Sequence, residues 1–143
     1  MNKLNLLLGI LIGITIMACS SDDNPNTTNQ DELIAVWNLR SVENQGNDVP
    51  VFGCGVNQTT TFNGDNTGSE YFPEDYDATT CAFITLPFTW TRDDNELIIT
   101  VPEEGIFINE ILSLTDTELQ IVVVETNGNA VPQEQQEIFK FEK

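Results

Sequence analysis

From Trp37 onward, apolar residues recur at every second position in short runs, and clusters of Asn, Asp, Gly or Pro stop each run. That period fits half-buried strands and is wrong for amphipathic helices. The first run, Trp37 to Val42, puts Trp37 and Leu39 on one face and Asn38 and Arg40 on the other. Gln58 to Phe62 is β-branched and aromatic, the Asn63 to Gly68 cluster has hairpin-turn chemistry, and Ser69 to Phe72 is the expected return strand. Phe83 to Thr91 follows, with Ile84, Leu86, Phe88 and Trp90 on one side. Pro87 on the other side points to an edge or bulge, because it has no N–H for a ladder. Glu96 to Val101, Ile106 to Leu114, Glu118 to Glu125 and Gln136 to Glu142 complete eight expected strands.

No segment reads as a helix longer than one turn, which is expected at Asp31 to Val36 with Asp31 as its cap. Asn44 to Asn57, Glu74 to Thr80 and Asn127 to Gln133 read as loops. Consecutive antiparallel strands with one apolar face either stack as a sandwich or close into a barrel, and the pattern alone leaves both open.

The amino-terminal residues carry a different signal. Lys3 precedes the apolar run Leu4 to Met17, which is shorter than the roughly 20 residues that span a bilayer and suits a secretory signal. Ile16, Met17, Ala18 and Cys19 resemble the lipobox of bacterial lipoproteins, in which the Cys is acylated and becomes the first residue after cleavage. Residues 1–18 are therefore expected to be a signal peptide, and Cys19 a lipid anchor to the membrane. Ser20 to Gln30 has no apolar side chain to bury and reads as a flexible linker with a reach of about 18 Å. Its Ser20–Asp23 start resembles acidic export signals of surface-exposed lipoproteins in some Gram-negative bacteria. The other reading is a solvated spacer on a periplasm-facing lipoprotein. Either way the expected location is the outer membrane, with residues 31–143 as the folded domain.

Charge and composition narrow the function. The chain has 23 Asp and Glu against 5 Lys and Arg, a net charge of −18, and no His. Nucleic acid is disfavoured, since its phosphates must be met by basic residues. Imidazole-dependent triads and the usual catalytic zinc sites are excluded. No Ser or Cys stands beside a recognisable base, and no Gly-rich phosphate loop follows a strand, so neither an enzyme nor a cofactor is expected. Carboxylates fall nearly all in expected turns or on outward strand positions. Asn63, Asp65, Thr67, Gly68 and Glu74 match a calcium-loop spacing, but strands rather than helices flank them, so a hairpin is expected there and no metal.

With Cys19 acylated, Cys54 and Cys81 remain as an even pair in an exported protein, which favours a disulfide. Closing that loop stabilises by about 3.5 kcal/mol in the chain-entropy description.

Leu33 to Leu39 (LIAVWNL), Thr61 to Gly68 (TFNGDNTG), Phe88 to Thr91 (FTWT) and Glu96 to Thr100 (ELIIT) follow one another in an order that resembles the lipocalin-like domain of small bacterial lipoproteins. The resemblance extends over about Asp31 to Glu142 and implies an eight-stranded up-and-down barrel with Trp37 near its closed end. The family usually has Gly two residues before this Trp and an Arg of the last strand across the indole. Here Ala35 stands at the first position, and Lys140 and Lys143 are the cations available for the second.

Inside such a barrel, Trp37, Leu39, Phe62, Phe88, Trp90, Ile99, Ile121, Val123, Phe139 and Phe141 are expected to line a cavity for a small hydrophobic or amphipathic ligand. The same positions also suit a filled core. The rival function is an interaction module whose loops, Asn44 to Asn57 and Phe72 to Thr80, contact an envelope protein or glycan.

Overall fold

The computed structural model describes residues 31–143. The expected signal peptide, Cys19 and the linker lie outside the described residues. Ten strands are present: β1 (Val36–Asn44), β2 (Asn47–Pro50), β3 (Thr59–Phe62), β4 (Thr67–Pro73), β5 (Phe83–Asp93), β6 (Glu96–Val101), β7 (Gly105–Leu114), β8 (Glu118–Thr126), β9 (Asn129–Ala130) and β10 (Glu137–Glu142). Eight of them form a closed antiparallel barrel in the order β1, β3, β4, β5, β6, β7, β8, β10. Closure is visible at Phe141, which pairs with Leu119 on β8 and with Leu39 on β1. The barrel, not the sandwich, is the solution the chain adopts, and closure leaves no long unpaired edge.

Two strands were not expected. The hairpin β1–β2 turns at Gln45 (φ 51°) and Gly46 (φ 80°), and β8–β9 turns at Asn127 (φ 51°) and Gly128 (φ 80°). Every residue of β2 and β9 is exposed, so neither strand has an apolar face to reveal it. β2 exists because β3 pairs only with Val36 to Asn38, leaving the rest of that edge of β1 unfilled. A 3₁₀ turn, Gly53–Asn57, then leads into β3.

Asp31 begins a single turn, closed by the bond from Ile34 N–H to the Asp31 carbonyl (2.9 Å), with the Asp31 carboxylate accepting from Leu33 N–H (3.0 Å). The turn closes at Ile34, two residues sooner than expected, and Val36 already belongs to β1. Pro87 is accommodated as its chemistry requires. It lies in Phe83–Phe88, where β5 pairs with β4 alone because β6 ends below it.

Trp37 is fully buried at one end of the barrel, and its indole N–H donates to the Leu33 carbonyl at 2.8 Å. Phe62, on β3, meets Phe88 and Trp90 edge to face, with ring centroids 5.4 and 5.5 Å apart. Leu33, Leu97 and Leu119 are fully buried around them, each contributing roughly 1.5–3 kcal/mol by leaving water. This end is therefore closed by packing. The hairpins β3–β4, β5–β6 and β7–β8 turn here, and the longer connections gather at the other end.

Candidate ligand-binding site

Above the packed end the barrel holds a cavity of about 280 Å³. Its walls are Leu86 and Phe88 from β5, Ile99 and Val101 from β6, Phe107 and Asn109 from β7, Ile121 and Val123 from β8, and Phe139 and Phe141 from β10, with Thr60 and Glu70 from β3 and β4. Glu104, in the β6–β7 turn, puts the mouth at the end with the long connections. The volume is just below the range usual for ligand sites, so the occupant must be small, and the walls are mostly apolar with a few polar groups, as such sites are.

The ten residues expected to line a cavity divide. Phe88, Ile99, Ile121, Val123, Phe139 and Phe141 face it. Trp37, Leu39, Phe62 and Trp90 do not, and instead pack into the core beneath it. All ten share the inward face. Their depth along the barrel separates them, and depth follows from the stagger between strands rather than from alternation.

Seven wall residues, Thr60, Glu70, Leu86, Val101, Glu104, Phe107 and Asn109, lie outside the ten, and Glu70 is the one that carries a charge on a barrel strand. Its register neighbours are Thr60 on β3 and Leu86 on β5, both wall residues, so its side chain is inward. Glu70 is the exception to the expectation that nearly all carboxylates lie in turns or on outward positions. The clue was the period of β4, in which Glu70 falls two residues from the buried Gly68. Gly68 itself is dictated by close approach: a Cβ there would run into the Phe88 ring and come within 2.6 Å of the Thr61 carbonyl oxygen.

A short relay holds Glu70. Its Oε1 accepts from Gln58 Nε2 at 2.9 Å, and Gln58 Oε1 accepts from the Tyr76 hydroxyl at 2.9 Å. Gln58 is buried, and Tyr76 comes from the β4–β5 connection. Cys54 and Cys81 are disulfide-bonded with their Cα atoms 5.4 Å apart, so this connection is tied to the 3₁₀ turn that precedes Gln58. Burial pushes the Glu70 carboxyl above the ordinary Glu range, and the Gln58 hydrogen bond opposes the shift without cancelling it. Tyr76 is raised as well, first by desolvation and then by the charge of Glu70.

Thr60 and Asn109 are buried polar residues of the wall as well, and Asn109 is the amide. Its Nδ2 donates to the carbonyls of Leu97 (3.2 Å) and Phe107 (3.3 Å). Both N–H groups are thereby used, and the amide oxygen is what remains to offer the cavity.

The Asn63–Gly68 segment is a hairpin and not a calcium loop. Asp65 Oδ1 accepts from Thr67 N–H (3.0 Å) and from the Thr67 hydroxyl (2.6 Å), which spends the carboxylate on the turn.

No protein of curated function matches the sequence. The fold is similar to that of a lipocalin-like protein from Bacteroides uniformis ATCC 8492, with a TM-score of 0.57 and 16% identity over 78% of this chain and 98% of that one. It is also similar to an uncharacterized protein from Bacteroides eggerthii DSM 20697, with a TM-score of 0.54 and 13% identity over 78% and 98% of the two chains. Residues 33–121, from the closing turn through six barrel strands and into β8, match the lipocalin-like domain family. With barrel, closing tryptophan and family match in agreement, the chain belongs to the lipocalin-like domain family.

Proposed function

We propose that this protein binds a small hydrophobic or amphipathic molecule in its barrel, without catalysis, while tethered to the outer membrane through an acylated Cys19. The observation that carries the reading is the apolar cavity of about 280 Å³, which persists above a core that is otherwise close-packed. A void of that size sacrifices packing contacts that a filled interior would have kept, so its retention fits use by a ligand. The lipobox-like Ile16 to Cys19 and the apolar run before it support the tether.

A neutral polarity-sensitive dye such as N-phenylnaphthylamine tests the binding. Its fluorescence should rise on mixing with the protein, and Ile99→Trp, which fills the cavity, should abolish the rise while leaving the protein folded. An unchanged signal in the filled variant would place the dye elsewhere and sink the reading. For the tether, Cys19→Ala should move the protein from membrane to soluble fractions.

A second reading has its own observation. Phe52 (64% exposed), Val49, Val56 and Tyr76 place large apolar side chains in solvent along the two connections flanking the disulfide. Such a cluster suits contact with another envelope component. Substituting Phe52 by Ser should leave dye binding intact, and loss of co-purification with an envelope partner would favour this use of the loops.

A further inference from the structure

We infer that the cavity selects an apolar molecule bearing a protonated amine, with Glu70 as the group that recognises the ammonium. The inference rests on the barrel being a binding site and specifies the ligand class.

The charged groups of the wall are carboxylates, and its other polar groups offer acceptors, with the Thr60 hydroxyl able to donate as well. Glu70 presents the carboxylate oxygen that Gln58 does not occupy, and Asn109 presents an amide oxygen whose N–H groups are already spent. Glu104 adds a second carboxylate at the mouth. No lining residue is Lys or Arg.

The other described residues offer Glu70 no cation either. The described residues contain four basic side chains, and each is engaged away from the cavity. Arg40 pairs with Glu142 at 2.9 Å, and Arg92 with Asp31 at 2.6 Å. Lys140 bridges Glu43 (2.7 Å) and Asp48 (3.3 Å), and Lys143 Nζ lies 4.7 Å from the centroid of the Trp37 ring.

A carboxylate taken out of water without a counter-charge is unfavourable, and a cation brought in beside it removes the penalty. Burial holds Glu70 above the usual carboxylate range, the response expected of an inward carboxyl with no such partner. An ammonium can donate to Glu70 while its alkyl body meets Phe88, Ile121 and Phe139. A fatty acid of the same length would set its own carboxylate against Glu70, and an alcohol would gain a hydrogen bond to the carboxylate without the pairing of opposite charges.

The relay explains how the site keeps its polarity. Because Tyr76 donates to Gln58 Oε1, the Gln58 amide is oriented with its N–H toward Glu70. Glu70 is thereby kept as an acceptor and aimed by a group that is itself anchored near the disulfide.

Octylamine, octan-1-ol and octanoate, titrated near pH 7 as displacers of the neutral dye, separate the outcomes. Octylamine should bind about tenfold or more tightly than either of the others. Glu70→Gln should remove that preference, with octylamine losing about tenfold or more and octan-1-ol changing by a smaller factor. Octanoate binding as tightly as octylamine, or an amine preference that survives in Glu70→Gln, would overturn the ligand class and leave the barrel reading standing. If none of the three displaces dye that is bound in the cavity, the inference fails. If the dye itself does not bind, the barrel reading fails with it. Should Glu70→Gln not fold, the unchanged protein still decides: its octylamine affinity should fall on acidification as Glu70 takes up its proton, and a flat profile would count against the assignment.

Discussion

Lys143 Nζ sits 4.7 Å from the centroid of the Trp37 ring and also donates to the Glu32 carbonyl at 3.2 Å. The closed end of the barrel is thus finished by a cation over the indole, here an ammonium where the family usually has a guanidinium. Lys140, the other candidate, is drawn outward by Glu43 and Asp48 on the β1–β2 hairpin. The register explains the choice. Lys140 alternates with the inward Phe139 and Phe141, whereas Lys143 lies beyond β10 and is free to fold across the end.

Replacing Lys143 by Ala should lower the unfolding free energy by about 0.5–1 kcal/mol, the usual worth of a partly exposed cation–π contact. Lys143→Arg should restore most of it. Urea denaturation followed by tryptophan fluorescence measures both, and an Ala variant as stable as the parent would show that the contact is incidental.

Gly68→Ala should destabilise by roughly 1–3 kcal/mol, because the new methyl overlaps the Phe88 ring and the Thr61 carbonyl, which belong to neighbouring strands and have little room to yield. Since Phe88 is part of the cavity wall, dye affinity should change in the same variant. A melting temperature equal to that of the parent would mean that Phe88 simply rotates away.

Glu70 makes stability depend on pH in a defined direction. Its folded pKa is raised above the ordinary 4.5, so the folded protein holds this proton more tightly than the unfolded chain. Stability should therefore decline as pH rises from the ordinary Glu range through the raised folded value. Glu70→Gln lacks that proton, so the advantage of the variant over the parent should grow with pH across the same window. Urea midpoints of both proteins at a series of pH values give the difference directly, and a constant difference would show that Glu70 is not desolvated.

Removing the Cys54–Cys81 bridge by a double Ser substitution should cost about 2–4 kcal/mol. Because the bridge anchors the connection that carries Tyr76, the loss should also loosen the hold on Glu70, seen as a weaker pH dependence than in the parent. Denaturation with and without reductant checks the first point, since reductant should lower the parent to the level of the variant and leave the variant unmoved.

The amino-acid sequence determined the strands that have an inside and an outside. Alternation at Trp37 and Leu39, at Phe88 and Trp90, and at Leu97, Ile99 and Val101 marks one buried face without reference to any partner, because side chains of a strand point to opposite faces by local geometry. Turn chemistry at Asn63 to Gly68 and at Asp93 to Asn95, and the even pair of cysteines, are equally local signals. Tertiary structure decided the remainder. β2 and β9 bury neither face and exist only because a neighbouring strand offers its edge. Trp37, Leu39, Phe62 and Trp90 fill the core while Phe88, Ile99 and Ile121 border a void, although all share one face. Glu70, one acidic residue among many, became the inward carboxylate of the cavity. Each of these outcomes depends on how far strands distant in the chain are staggered when the barrel closes. That stagger is set by the whole ring of pairings at once and leaves no mark on any single segment.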